Sequence, residues 1–245
     1  MLKKLLEFGA LLPLLFIRPA FADLMPCPTG TLASYKNTVV SCTIGDKTFS
    51  NFSYVQGGSG IAEGFVTVTP DTTSGNPGFT FSTANPPWSA TAMPGLIGIG
   101  YQVSVNSGGN LIDDATLTLP QAPTIANDGS ALVIEGICLS APFNLPFVMG
   151  VMSDFTSCAR NGGTFTSLAL SDVVPAPLTI TTTFDPRQFL GVATVIDLSE
   201  GTMGAAELMS VKENFSETPE PSSLLICLVG LSGVLSLKRN LRQRR

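Results

Sequence analysis

The chain of 245 residues contains no histidine. That absence removes the usual Ser-His-Asp and Cys-His nucleophile systems and the commonest transition-metal ligand. No Cys-x-x-Cys occurs among its five cysteines, so a zinc site is not expected. There is no P-loop pattern and no dinucleotide-binding glycine pattern between a strand and a helix. No stretch carries a sustained helical stripe with caps, and no fixed-period repeat supports a solenoid or propeller. Basic charge is scarce where it would matter. Eight of the thirteen Lys and Arg lie in the two terminal segments. Residues 23–218 hold only Lys36, Lys47, Arg160, Arg187 and Lys212 against sixteen acidic residues, a net charge of −11. Such a body excludes nucleic acid, whose phosphates require Lys and Arg. It favours solubility outside the cell and neutral or cationic partners.

What is present begins with the two ends. Lys3 and Lys4 precede a mostly apolar run, Leu5 to Ile17, and Ala20 and Ala22 are the small residues of a signal-peptidase site. Residues 1–22 therefore read as a cleaved signal peptide; Pro13 and Pro19 would break a retained helix. At the other end, Leu224 to Leu237 carries no charge, and with Ser222 and Ser223 it makes 16 residues. As a helix that is about 24 Å, slightly short of a hydrocarbon core of about 30 Å. Lys238, Arg239, Arg242, Arg244 and Arg245 follow it. A basic tail of this kind holds the cytoplasmic side of a span, and Lys238 and Arg239 can snorkel to lengthen it. The run is apolar all round, unlike a core helix with a polar face.

The triplet Pro219-Glu220-Pro221, the apolar span over 222–237 and the Arg-rich end over 238–245 resemble the PEP-CTERM sorting signal of Gram-negative bacteria. The resemblance covers 27 residues and rests on three parts in fixed order. It implies transient insertion in the inner membrane, recognition and cutting near the PEP triplet by an exosortase, and delivery to the cell surface or outside, often alongside exopolysaccharide. The expected division is a signal peptide at 1–22, an extracellular domain at 23–216 and a sorting signal at 217–245.

The body reads as β. Lys47–Val55, Gly64–Thr69, Gly100–Val105, Ala115–Leu119, Ala131–Leu139, Phe147–Met152, Thr164–Leu170, Leu178–Phe184, Gly191–Leu198 and Ala206–Phe215 are expected strands. Tyr101, Val103 and Val105 share one face at period two. Glycine, asparagine and proline clusters at 57–60, 74–78, 85–87, 107–110 and 161–163 punctuate them. The spacing predicts an all-β, two-sheet antiparallel sandwich, jelly-roll-like. The stretches CTIGDKTFSNFSY, Gly60–Thr69 and YQVSVNSGGNLIDDATL resemble, in that order, a group of extracellular proteins that bear this sorting signal and whose body has no assigned activity. Cys227 lies in the span as an apolar filler. Cys27, Cys42, Cys138 and Cys158 are expected to form two disulfides. Of three connectivities, Cys27–Cys42 and Cys138–Cys158 close the short local loops, each worth about 3 kcal/mol.

Three kinds of residue invite a chemical reading. Asn110, Asp113 and Asp114 offer oxygen ligands for calcium, although carboxylates beside a turn more often cap it. Trp88, the single tryptophan, sits beside prolines and is a candidate for stacking on a sugar ring; its commoner use is to plug a core. Glu63, Glu135 and Asp197 fall in or beside expected strands and are candidate carboxyls for a polysaccharide-active enzyme, the ordinary alternative being a solvated sheet face. The leading expectation is a non-enzymatic, exported protein of structural or adhesive type at the surface or in the matrix, with no cofactor. A carbohydrate-binding, calcium-assisted module is the second expectation and a carboxylate-based enzyme the third.

Overall fold

A computed structural model describes residues 25–39, 41–58, 60–73, 75–83, 86–90, 94–143, 152–171 and 178–218. The chain begins with β1 (Gly30–Thr31), helix α1 (Leu32–Asn37), β2 (Ser41–Ile44) and β3 (Lys47–Gly58). A 3-10 turn at Glu63–Phe65 leads to β4 (Thr67–Asp71), β5 (Gly78–Ser82), β6 (Trp88–Ala90) and β7 (Gly95–Val105). Then come β8 (Leu111–Thr118), β9 (Thr124–Ala126), β10 (Ser130–Leu139), helix α2 (Met152–Arg160) and β11 (Thr164–Ser171). The last strands are β12 (Thr179–Arg187), β13 (Phe189–Ser199), β14 (Ala205–Leu208), β15 (Ser210–Asn214) and β16 (Glu217–Thr218).

These strands make an antiparallel sandwich. The first sheet has the order β11-β10-β13-β7-β3-β2, and the second β1-β4-β5-β15-β8-β12. β16 continues the line of β15 along β8 after a break at Phe215 and Ser216. A small third sheet, β6-β14-β9, contributes Trp88, Ala90, Ala206 and Leu208 to the core, all fully buried.

The layers explain two kinds of strand sequence. The outer face of the second sheet is open, so β12 alternates exposed Thr179, Thr181 and Thr183 with half-buried Ile180, Thr182 and Phe184. The first sheet is covered on both faces at its middle, so β13 is buried continuously from Leu190 to Ile196. Its outer face packs Ala193, Val195 and Ile134 against Ala141, Phe143 and the Cys138–Cys158 disulfide, which pins α2 to β10. Gly191 makes room for this cover: a Cβ there would lie 2.9 Å from both the Ala141 oxygen and the Phe143 nitrogen.

Between the sheets lies an aromatic cluster. Phe49 meets Phe79 edge-on at 4.7 Å, Phe52 stacks on Tyr101 at 5.5 Å, and Tyr35 of α1 meets Phe52 at 4.8 Å. Phe49 and Phe52 both face inward although they are three residues apart. A bulge between Ser50 and Ser53 permits this, with Asn51 in the left-handed region at φ 55°. The parity of β3 thus changes at Asn51, and Lys47, on the same face as Phe49, also points inward.

The two-sheet antiparallel sandwich and the disulfides Cys27–Cys42 and Cys138–Cys158 are as expected. Several details differ. Glu63 to Phe65 form a 3-10 turn because the strand starts only at Thr67. Ala206–Phe215 divides at Met209 into β14 and β15, which belong to different sheets. Met152 begins α2 instead of ending a strand, and the rest of Phe147–Met152 lies outside the described residues. Helix α1 is capped by Thr31, whose hydroxyl accepts from Ser34 N at 3.2 Å, and buries Leu32 and Tyr35. At six residues it is too short to show a stripe. The folded body runs two residues past Ser216, because Glu217 and Thr218 pair with Ile112 and Leu111. The signal segment, the PEP triplet, the apolar run with Cys227 and the basic tail lie outside the described residues. Among the described residues no helix is long and apolar enough to cross a membrane.

Candidate functional site

Three polar constellations stand out. The first is inside the sandwich. Glu135 of β10 and Glu213 of β15 enter the core from opposite sheets, and both are wholly buried. Glu213 accepts from Tyr101 Oη at 2.5 Å and from Thr194 Oγ1. Among the described residues neither carboxyl oxygen of Glu135 has a hydrogen-bond partner. Burial pushes the Glu213 carboxyl up to about 7, against the Thr194 and Tyr101 donors that favour its charged form. Burial, and then the Glu213 charge, pushes Glu135 well above the usual carboxylate range. Burial and the two acids likewise raise the Tyr101 phenol. Both carboxyls thus hold a proton more tightly than an exposed acid would, in a wholly buried place.

The second constellation joins the sheets at one edge. The Lys47 ammonium is fully buried and donates to Asp46 Oδ1 at 2.6 Å, the Asn110 carbonyl at 2.7 Å and Glu217 Oε1 at 2.8 Å. Asn110 N donates to Asp46 Oδ2 at 2.5 Å, and Asn110 Nδ2 reaches Glu217 Oε2 at 3.3 Å. Burial opposes the Asp46 charge, but Lys47 and its other donors prevail and hold it below the ordinary range. The β2–β3 hairpin, the β7–β8 turn and the last strand before Pro219 are thus tied to one ammonium. Each single partner removed would leave charge in a desolvated place.

The third is a cleft of about 240 Å³ on the outer face of the second sheet, lined by Asp71, Thr73, Asn76, Thr116, Lys212 and Asn214. Asp71 is its hub. One carboxylate oxygen accepts from Thr73 N at 3.0 Å and Thr73 Oγ1 at 2.6 Å. The other accepts from Lys212 Nζ at 2.6 Å and Asn214 Nδ2 at 2.9 Å. Asn214 Nδ2 also donates to the Asn76 carbonyl at 2.8 Å, which fixes the β4–β5 loop. Burial disfavours the Asp71 charge, but these donors outweigh it and keep the carboxyl far below its ordinary value.

The residues singled out in the sequence are dispersed among these places. Trp88 is fully buried, a correction to its reading as a sugar contact: β6 turns the indole into the core. Glu135 is likewise inside, on the same face as Val133 and Ile137, and not on a solvated face. Asp197 is exposed on β13, and Glu63 pairs with Lys36 at the surface. The calcium candidates are drawn apart. Asn110 serves the Lys47 centre, while Asp114 Oδ1 accepts from Ser216 N at 3.1 Å and so satisfies the break between β15 and β16. Among the described residues no three Cys, Asp or Glu side chains gather as a metal cage. Glu213, Lys47, Asp71 and Lys212 were not marked by any motif. For Glu213 and Lys47 the signal was a charged residue inside an alternating strand, in phase with its apolar neighbours, as Glu213 is with Val211 and Phe215.

Fold and sites together define an all-β, doubly disulfide-bonded sandwich with a sealed acid centre and one open polar face. No family model, curated protein or solved structure matches the chain.

Proposed function

We propose that this chain is an exported, non-enzymatic protein of the cell surface or extracellular matrix, of structural or adhesive type. It is delivered through the C-terminal signal over 217–245 after signal-peptidase cleavage at Ala22. The observation that carries the reading is the pairing of all four body cysteines into Cys27–Cys42 and Cys138–Cys158, since such bonds persist in oxidising compartments. It is supported by the buried position of Glu135 and Glu213, the acids whose proton affinity is most raised: no substrate reaches them. The acidic body stays soluble and repels its own kind, as suits a protein at a crowded surface.

Deletion of the gene, followed by fractionation of the wild type and measurement of surface attachment and matrix composition, tests this. The expected result is protein in the surface or extracellular fraction and an altered matrix or attachment in the deletion strain. A cytoplasmic location, or an unchanged surface and matrix, would contradict it.

A further inference from the structure

The outer face of the second sheet is ordered across five strands. Thr69, Thr80, Lys212, Thr118 and Thr179 are direct cross-strand partners in one row. Asp71, Gly78, Asn214, Thr116 and Thr181 form the next. With strands about 4.8 Å apart, each row spans about 19 Å, and the rows lie about 7 Å from one another. The strip is long enough for several hexose units, and the cleft between Lys212, Asn214 and Thr116 has room for one pyranose ring.

The free hydrogen-bonding groups decide what fits. An ammonium has three donors; Lys212 spends one on Asp71. Both donors of Asn214 Nδ2 are spent, on Asp71 and Asn76, and among the described residues its Oδ1 is left as an acceptor. Thr116 and Thr181 share one hydrogen bond at 2.8 Å, which leaves one hydroxyl proton of the pair. The cleft thus presents donors and an acceptor side by side, the complement of a vicinal diol, each of whose hydroxyls both gives and takes. A metal ion is disfavoured because both Asp71 oxygens already accept two donors each. A polyanion is disfavoured because Lys212 is neutralised by Asp71 and the body around it carries −11.

We propose that this cleft and its two rows bind a neutral polysaccharide chain, with Lys212 and Asn214 holding a vicinal diol. The proposal deepens the adhesive reading above and rests on it for its setting, although its chemistry does not. Among the described residues no aromatic ring lines the cleft, so each unit is held weakly and many copies on a surface supply the avidity.

The test is affinity electrophoresis of the full-length protein in mild detergent through gels containing dextran, galactomannan, mixed-linkage β-glucan or alginate. Retardation is expected in at least one neutral gel, and not in alginate, with no effect of chelator. Lys212→Met and Thr116→Val should each weaken that retardation about tenfold or more while the melting temperature stays within a few degrees. If Lys212→Met does not fold, Thr116→Val alone decides, since it keeps shape and removes only the hydroxyl. No retardation in any neutral gel, retardation in alginate only, or undiminished retardation of folded variants would overturn the proposal. A protein found at the surface but bound to none of these glycans would leave the export reading standing and remove this one.

Discussion

Replacing Glu135 with Gln should make the protein more stable at neutral pH, and the gain should vanish in acid. Glu135 and Glu213 enter the core from opposite sheets, with Tyr101 and Thr194 beside them; the third buried charged side chain of the described core, Lys47, is paired with Asp46 and Glu217. Both carboxyls take up protons more readily when folded than when unfolded. For a carboxyl raised from an ordinary 4.5 to about 7, as Glu213 is, folding loses about 3 kcal/mol between those two values, at 1.36 kcal/mol per pH unit. The sign follows directly. Stability is fully present below about pH 4.5, where both states are protonated. It falls as the pH rises and the unfolded chain ionises first. The acids held low, Asp46, Asp71 and Asp128, act below their own unfolded values and so leave the range above about pH 5 undisturbed. With no histidine in the chain, little else titrates between pH 5 and 8. Urea unfolding of the full-length protein in mild detergent, followed through the single buried Trp88, measures this at several pH values. The wild type should lose stability from pH 5 to 7.5. Glu135→Gln should flatten the slope by about one proton and gain about 1–3 kcal/mol at pH 7.5, with near-equality at pH 4.5. A wild-type stability that rises with pH over that range, or a variant with an unchanged slope, would refute the buried-pair reasoning.

Three further expectations concern the same body. Lys47→Met should cost about 3 kcal/mol or more, because Asp46 and Glu217 lose their counter-charge in a desolvated place. Lys212→Met, half exposed, should cost less than about 1 kcal/mol; chemical denaturation of the two variants compares them. Cys138→Ser with Cys158→Ser should cost about 3 kcal/mol and speed amide exchange in α2, which that bond pins to β10. Trp88→Ala should lower stability by about 3–5 kcal/mol and, measured below its melting point, leave polysaccharide retardation unchanged, since the ring does not reach the open face.

The sandwich was legible in the sequence because its two-residue alternation is a direct image of a half-buried sheet, and β8 and β12 show it plainly. It failed where the physics changes locally. The bulge at Asn51 reverses inward and outward sides within β3, so Phe52, three residues from Phe49, does not read as a core residue. The division of Ala206–Phe215 at Met209 was hidden because both halves are good strand sequence; only their pairing, with β6 and β9 or with β5 and β8, separates them. Short helices such as α1 are held by one cap and two core side chains, which leaves no periodic trace. The sites were less legible still. Asp71, Lys212 and Asn214 meet only because β4 and β15 flank β5, a contact of 143 residues' separation between Asp71 and Asn214. Glu135 and Glu213 likewise meet across two sheets, whereas the disulfides, local in sequence, were found from spacing alone.

Under the proposed function the folded body is an exported species, freed of both ends. Intact-mass and terminal-peptide mass spectrometry of the protein isolated from its own cells, fraction by fraction, tests it most directly. The expected result is a surface or extracellular species that starts at Asp23, ends between Thr218 and Pro221, and has Cys27–Cys42 and Cys138–Cys158 oxidised. A chain recovered with Met1 and Arg245 intact and its four body cysteines reduced would contradict it.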